Sequence, residues 1–115
     1  LKFDQPNLKV VAGSKVKLTF NNTDDMPHNF LLVAKNKANE VGDAATRLGL
    51  DGAALNYVPE TEAVIAHTNL LAPHEIESIY FSAPEVPGAY PFLCTFPGHY
   101  LTMRGVLTVT PKLVL

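Results

Sequence analysis

Apolar and polar residues alternate with a period of two over much of this chain, the pattern of strands that bury one face. The cleanest stretch is Lys15 to Phe20, where Val16, Leu18 and Phe20 are expected to face a core and Lys15, Lys17 and Thr19 to face water. Leu8 to Val11 precedes it as a short apolar run closed by Ala12-Gly13-Ser14. His28 to Val33 is apolar on both parities and reads as a strand covered on both faces. Further strands are expected at Ala63 to His67, at Glu75 to Phe81, at Ala89 to Cys94 with Tyr90, Phe92 and Cys94 on one face, and at Arg104 to Thr110, stopped by Pro111. Polar or Pro/Gly-rich segments, Asn21 to Asp25 and Pro84 to Gly88, punctuate the runs as turns.

Residues 35–58 break the period of two. Val41, Ala45 and Leu48 recur at i, i+4 and i+7, a helical stripe, with Gly49 as its stop signal and Asp51 placed to cap a second short turn. The segment is expected to be a helical excursion of about 15 to 20 residues. Seven or so short strands, with turns at regular spacing and one short helical insert, predict an all-β antiparallel sandwich or barrel.

Composition narrows the function. The 115 residues are expected to form a single domain over 1–115, and a hydrophobic fraction of 47% suits a packed core. The net charge of −2, without a long run of one sign, gives no support to nucleic acid or an anionic membrane surface as partner. The single cysteine makes no intramolecular disulfide, so cysteine usage does not reveal the compartment. No apolar run is long enough to cross a bilayer, and no secretory leader is recognisable. The chain opens on Leu1-Lys2-Phe3 without an initiator Met, so it is expected to be a processed chain or a domain of a longer protein.

The chemistry concentrates in one loop. Cys94-Thr95-Phe96-Pro97-Gly98-His99-Tyr100-Leu101-Thr102-Met103 carries a thiol, an imidazole and a thioether between two expected strands. Three donors from one loop form an incomplete shell, and His28, which opens a strand just after a turn, is the best placed fourth. Thiolate and thioether are soft and imidazole is borderline, a set that suits copper in both oxidation states. Calcium and magnesium want oxygen donors, and structural zinc sites favour four Cys or His ligands over a Met. His67 and His74 have no partner at ligand spacing and read as surface or packing residues. No acid–base pair or activated nucleophile stands out, which argues against an enzyme.

Cys-Thr-Phe-Pro-Gly-His followed by three residues and Met resembles the ligand loop of the azurin branch of the cupredoxins, which includes the auracyanins. Met26-Pro27-His28-Asn29 is similar to the segment carrying that family's first histidine, and Val64-Ile65-Ala66-His67-Thr68 to a stretch just after its helical flap. The resemblance runs through nearly the whole chain. It implies an eight-stranded Greek-key sandwich with one type 1 copper ion at one end and a flap over residues 35–58. It makes His28, Cys94 and His99 the equatorial ligands and Met103 the weak axial one, with a backbone carbonyl contact from Pro27, where azurins have Gly. Asn29 and Phe96 match positions whose backbone N–H groups point at the cysteine sulfur. Three features depart from azurins: a shorter N-terminal region, the lack of a disulfide, and bulky Tyr100 and Leu101 after His99.

The expected activity is one-electron transfer by Cu(I)/Cu(II) cycling. Electrons would pass through a His99 ring edge near solvent, framed by a docking patch of Met26, Phe96, Pro97, Tyr100 and Leu101. The partners implied are redox proteins such as c-type cytochromes or an oxidoreductase domain. The compartment implied is extracytoplasmic, the bacterial periplasm or a membrane-anchored position on its outer side. Two alternatives stay open at this point: an electron-relay module of a larger redox enzyme, and a copper carrier or storage protein.

Overall fold

A computed structural model of the chain describes residues 1–113. The strands are β1 (Asn7–Val11), β2 (Lys15–Asn21), β3 (Leu31–Val33), β4 (Val64–His67), β5 (Ile76–Ser82), β6 (Gly88–Leu93) and β7 (Arg104–Thr110). They form a five-stranded sheet ordered β1-β7-β6-β3-β4 and a two-stranded sheet of β2 and β5. The chain passes between the sheets at β1–β2, β2–β3, β4–β5 and β5–β6, so the product is a sandwich of crossed connections rather than a simple meander.

Most pairs are antiparallel, but β1 runs parallel to β7, in register from Asn7 opposite Val106 to Val11 opposite Thr110. The sequence reading expected an antiparallel arrangement. Hairpins impose that on neighbours in the chain, whereas β1 and β7 are joined through the whole fold and nothing local dictates their sense.

The period-of-two reading of β2 holds: Val16, Leu18 and Phe20 are half-buried, and Lys15, Lys17 and Thr19 are exposed. Between the sheets lie Phe3, Leu32, Phe30, Phe92, Leu107 and Val109. Phe3, Phe20, Phe30 and Phe92 meet there with ring centroids 5.0 to 5.9 Å apart. A second cluster, Leu31, Val33, Val41 and Leu93, fills the opposite face of the larger sheet. Leu31, Leu32 and Val33 are all fully buried because β3 is covered on both sides, which is why its residues are apolar on both parities.

The cover on that second face is α1 (Ala38–Thr46), whose Val41 and Ala45 point inward. The helix is shorter than the apolar stripe suggested, and two 3-10 turns, Gly49–Asp51 and Ala53–Leu55, follow it. Asp51 ends the first turn and its side chain caps neither. Glycines in this segment serve close approach: a Cβ on Gly42 would lie 2.1 Å from the Tyr100 ring, and one on Gly52 2.2 Å from the Tyr57 ring.

The strand expected from His28 is interrupted. His28 exchanges both backbone hydrogen bonds with Leu71, at 3.1 and 2.8 Å, as an isolated bridge. Phe30 then donates its N–H to Thr68 Oγ1 at 3.0 Å instead of to a neighbouring strand, and continuous pairing starts only at Leu31.

Candidate metal centre

The ligand loop leaves β6 at Leu93 and enters β7 at Arg104, so both ends are tied to adjacent antiparallel strands. Phe96 to His99 is a tight turn closed by His99 N–H to the Phe96 carbonyl at 3.0 Å, with Pro97 second and Gly98, at φ +86°, third. That backbone conformation is open to glycine and strained for other residues. The chain then coils back: Met103 N–H donates to the His99 carbonyl at 2.8 Å, and Cys94 N–H donates to the Met103 carbonyl at 3.0 Å. Met103 is thereby held directly across from Cys94, and both side chains are buried in the inter-sheet core.

His28 arrives from the segment that joins β2 to β3, the neighbour of β6 in the larger sheet. Asn22, itself buried, anchors the turn before it by donating from Nδ2 to the carbonyls of Met26 at 2.9 Å and of Leu71 and Ala72 at 3.2 Å. The Nε2 edge of the His28 ring lies 2.9 Å from Asp24 Oδ2. A carboxylate only accepts, so Nε2 carries a proton, and in the neutral ring Nδ1 is the lone-pair donor.

That lone pair points at the cysteine. Cys94 Sγ lies 3.6 Å from His28 Nδ1 and 3.7 Å from His99 Nδ1. The three donor atoms all fall within 4.8 Å of one another, and all three residues are buried. An ion bonded at about 2.0 Å to nitrogen and about 2.3 Å to sulfur, with bonds opened to about 120°, needs donors about 3.8 Å apart. The two sides at the sulfur match that spacing, and the Cys-His-His composition suits copper.

Burial sets the electrostatics. It is the main reason the Cys94 thiol is pushed above its ordinary value, because a thiolate without a counter-charge is poorly solvated there. The backbone N–H groups of Asn29 and Phe96 face the sulfur and act the other way. Asn29 N–H is thus directed at the sulfur, next to the interruption in the strand. Burial also lowers the His99 pKa, with the charge of His28 a smaller contribution. The hydrogen bond to His28 is the largest cause holding Asp24 below the usual carboxylate range.

A network of amides and hydroxyls surrounds the triangle. Asn29 Oδ1 accepts Thr95 N–H at 2.8 Å, and its Nδ2 donates to Thr95 Oγ1 at 2.8 Å and to the Asn56 carbonyl at 2.9 Å. Thr95 Oγ1 donates to the Tyr57 carbonyl at 2.6 Å. Asn56 and Tyr57 both have positive φ, 56° and 54°, so a strained corner of the flap is held by the metal-site network. Among the residues that position the site, Asn22, Asp24, Asn56, Tyr57 and Thr95 were not singled out by sequence reasoning. For Asp24 a signal existed: an acid four residues before a candidate ligand within one turn.

The residues around His99 differ in exposure. Its ring packs on Phe96, centroids 5.1 Å apart, and only 3% of the residue is accessible. Its Nε2 bonds to no described residue, yet among the described residues no buried side-chain nitrogen lacks a partner, so that edge meets solvent. Met26, at 38%, and Leu101, at 68%, are exposed, as is Pro97. Tyr100 instead lays its half-buried ring on α1 at Gly42 and donates its hydroxyl to Asp43. Pro27 is half-buried, immediately before His28. His67 is exposed, with Nδ1 2.9 Å from the Thr68 carbonyl oxygen, and His74 projects toward Asp25; neither joins the triangle.

A β-sandwich that brings two imidazoles and one buried thiol within 4.8 Å of one another has the donor set of a copper-binding protein. Residues 1–110 match the family described as copper binding proteins, plastocyanin/azurin family. The chain belongs to that family, whose blue copper members are electron-transfer proteins. It is 39% identical over 116 residues to auracyanin-B of Chloroflexus aurantiacus, spanning 96% of this chain but 48% of that protein. It is 38% identical over 111 residues to auracyanin-A of the same organism, spanning 95% of this chain and 67% of that protein. The chain therefore spans about half the length of the first relative. The structure is also similar to dithionite-reduced auracyanin from the photosynthetic bacterium Roseiflexus castenholzii, with a TM-score of 0.85 at 36% identity over 96% of this chain and 88% of that one.

Proposed function

We propose that this chain is a type 1 copper electron carrier in which His28, Cys94 and His99 would hold the metal, with Met103 and the Pro27 carbonyl supplying weaker contacts. The observation that carries this reading is the Nδ1–Sγ–Nδ1 triangle, with sides of 3.6 and 3.7 Å at the sulfur. Two relatives lend support: auracyanin A is a blue copper protein, and the Roseiflexus auracyanin takes a dithionite-reduced form.

When bound, copper supplies a one-electron Cu(II)/Cu(I) couple. The protein's part is to keep the donors in place through both states. Backbone bonds to Leu71 and Met103 fix His28 and Cys94, and the Phe96–His99 turn fixes His99. Donors held this way move little on oxidation or reduction, which favours fast exchange. The Asn29 and Phe96 N–H groups temper the charge on sulfur and so tune the potential. Electrons enter and leave at the solvent-facing Nε2 edge of His99. The docking surface around it is formed by Met26, Phe96, Pro97 and Leu101, with Tyr100 as a buttress behind it. A small apolar patch suits short-lived encounters with a c-type cytochrome or another redox protein. Extracytoplasmic placement completes the reading.

The test is visible absorption and EPR during addition of Cu(II) to the apo-protein. An intense blue sulfur-to-copper band with narrow copper hyperfine splitting, reversible under dithionite and lost in Cys94→Ser, is the expected result. A colourless protein, or one taking up copper without a reversible couple, overturns the proposal.

A further inference from the structure

The two imidazoles of the site are held in different ways. His99 presents its Nε2 edge to solvent, whereas Nε2 of His28 lies 2.9 Å from the carboxylate of Asp24. The ring of His28 is buried to 3% accessibility, while the Asp24 side chain is 46% accessible. The acid is itself fixed: its Oδ1 accepts the Asp25 N–H at 2.8 Å, and its own N–H donates to Asn22 Oδ1 at 3.1 Å. Its second oxygen is thus aimed at the histidine by a turn that the buried Asn22 anchors. An exposed ion pair of this length contributes little between two mobile side chains. Here one partner is buried and hydrogen-bonded, and its other nitrogen faces the metal position. A carboxylate behind a ligating histidine makes the imidazole a stronger donor.

We propose that Asp24 is a positioning residue of the copper centre that holds the Nδ1-donor tautomer of His28 and, through the imidazole, favours Cu(II) over Cu(I). The proposal rests on the copper reading above. No bond to the metal is made by Asp24; its negative charge reaches the ion through the ring and stabilises the higher oxidation state. His28 becomes the stronger imidazole donor and His99 the weaker, leaving the solvent-facing ligand as the route for the electron.

The experiment is a reduction-potential measurement by protein-film voltammetry on the copper-loaded protein and three variants. Asp24→Asn keeps a turn-forming amide and the Oδ1 acceptor but removes the charge. Asp24→Ser also removes the reach to Nε2. Asp25→Asn removes the same charge one residue away, from a side chain that is 96% accessible and does not touch His28. The Cu(II)/Cu(I) balance is expected to move about tenfold toward Cu(I) in both Asp24 variants, a rise of about 59 mV for a one-electron couple. Asp25→Asn is expected to give less than a third of that. Visible and EPR spectra of each variant report whether the copper is still in its site. A blue wild type whose potential is unmoved by Asp24→Asn and Asp24→Ser overturns this proposal alone. Equal shifts from Asp24→Asn and Asp25→Asn also overturn it, since net charge then explains the effect. A colourless wild type overturns it together with the copper reading.

Discussion

Replacing Gly42 by Ala should reverse sign depending on what stands at position 100. Gly42 lies inside α1, where a Gly-to-Ala exchange normally stabilises by about 1 kcal/mol because alanine restricts the unfolded chain and suits the helix. The space is not free, however. The new Cβ would lie 2.1 Å from Tyr100 Cδ2 and 2.4 Å from its Cγ, both inside contact distance. The ring has little room to retreat, because it packs on the cluster of Leu31, Val33, Val41 and Leu93 and its hydroxyl is tied to Asp43. Overpacking of this kind costs about 1–3 kcal/mol. Gly42→Ala is therefore expected to be destabilising by about 0–2 kcal/mol in the parent. In a Tyr100→Ala background the same change should stabilise by about 1 kcal/mol, a coupling of about 1–3 kcal/mol. Urea unfolding of the apo form of all four members of the cycle measures it, with shifts in midpoint at unchanged slope. If Gly42→Ala stabilises the parent as much as it stabilises Tyr100→Ala, the helix does not lock the ligand loop and the reasoning fails.

Three further outcomes follow from the same contacts. Asn29→Ala should cost about 2–4 kcal/mol in urea unfolding, because it leaves the buried Thr95 N–H and the Asn56 carbonyl without their partner; a cost under about 0.5 kcal/mol would contradict that network. The apo-protein should lose thermal stability as pH falls through the ordinary imidazole value of 6.5: burial lowers His99 in the folded state, so the unfolded chain binds the extra proton first and gains. His99→Gln should flatten that part of the profile, and an unchanged slope would refute the assignment. Leu101→Lys, at a site 68% exposed, should change stability by less than about 0.5 kcal/mol and keep the blue band, yet slow electron exchange with a cationic cytochrome about tenfold at low salt. Undiminished exchange would place docking elsewhere.

Much of the strand placement along the chain could be read because half-buried strands carry their own record. Val16, Leu18 and Phe20 alternate with Lys15, Lys17 and Thr19, and the fold respects that alternation. The mixed-parity run at Leu31–Val33 showed equally well that both faces are covered. The sequence did not show where pairing begins. Asn29 turns its N–H to a sulfur 65 residues away in the chain, and Phe30 turns its own to Thr68. A side chain that competes for a backbone donor across the fold leaves no periodic trace.

The same division runs through the site. Residue types and spacing alone pointed to Cys94, His99 and Met103 as candidate donors, because a loop between adjacent strands keeps its own members close. His28 was legible as a candidate at a strand start, but its meeting with Cys94 at 3.6 Å exists only once the sheet pairs β3 with β6. Tyr100 looked like part of a docking patch from its neighbours in sequence; the packing of α1 turned its ring inward onto Gly42. Asp24 sits in a polar turn and reads locally as a turn residue. Only the folding of that turn beneath a buried imidazole makes its carboxylate a partner of the metal ligand. Local chemistry and periodicity are properties of the chain and could be read from it. Distances between segments, and the direction each polar group takes, depend on packing that no single segment contains.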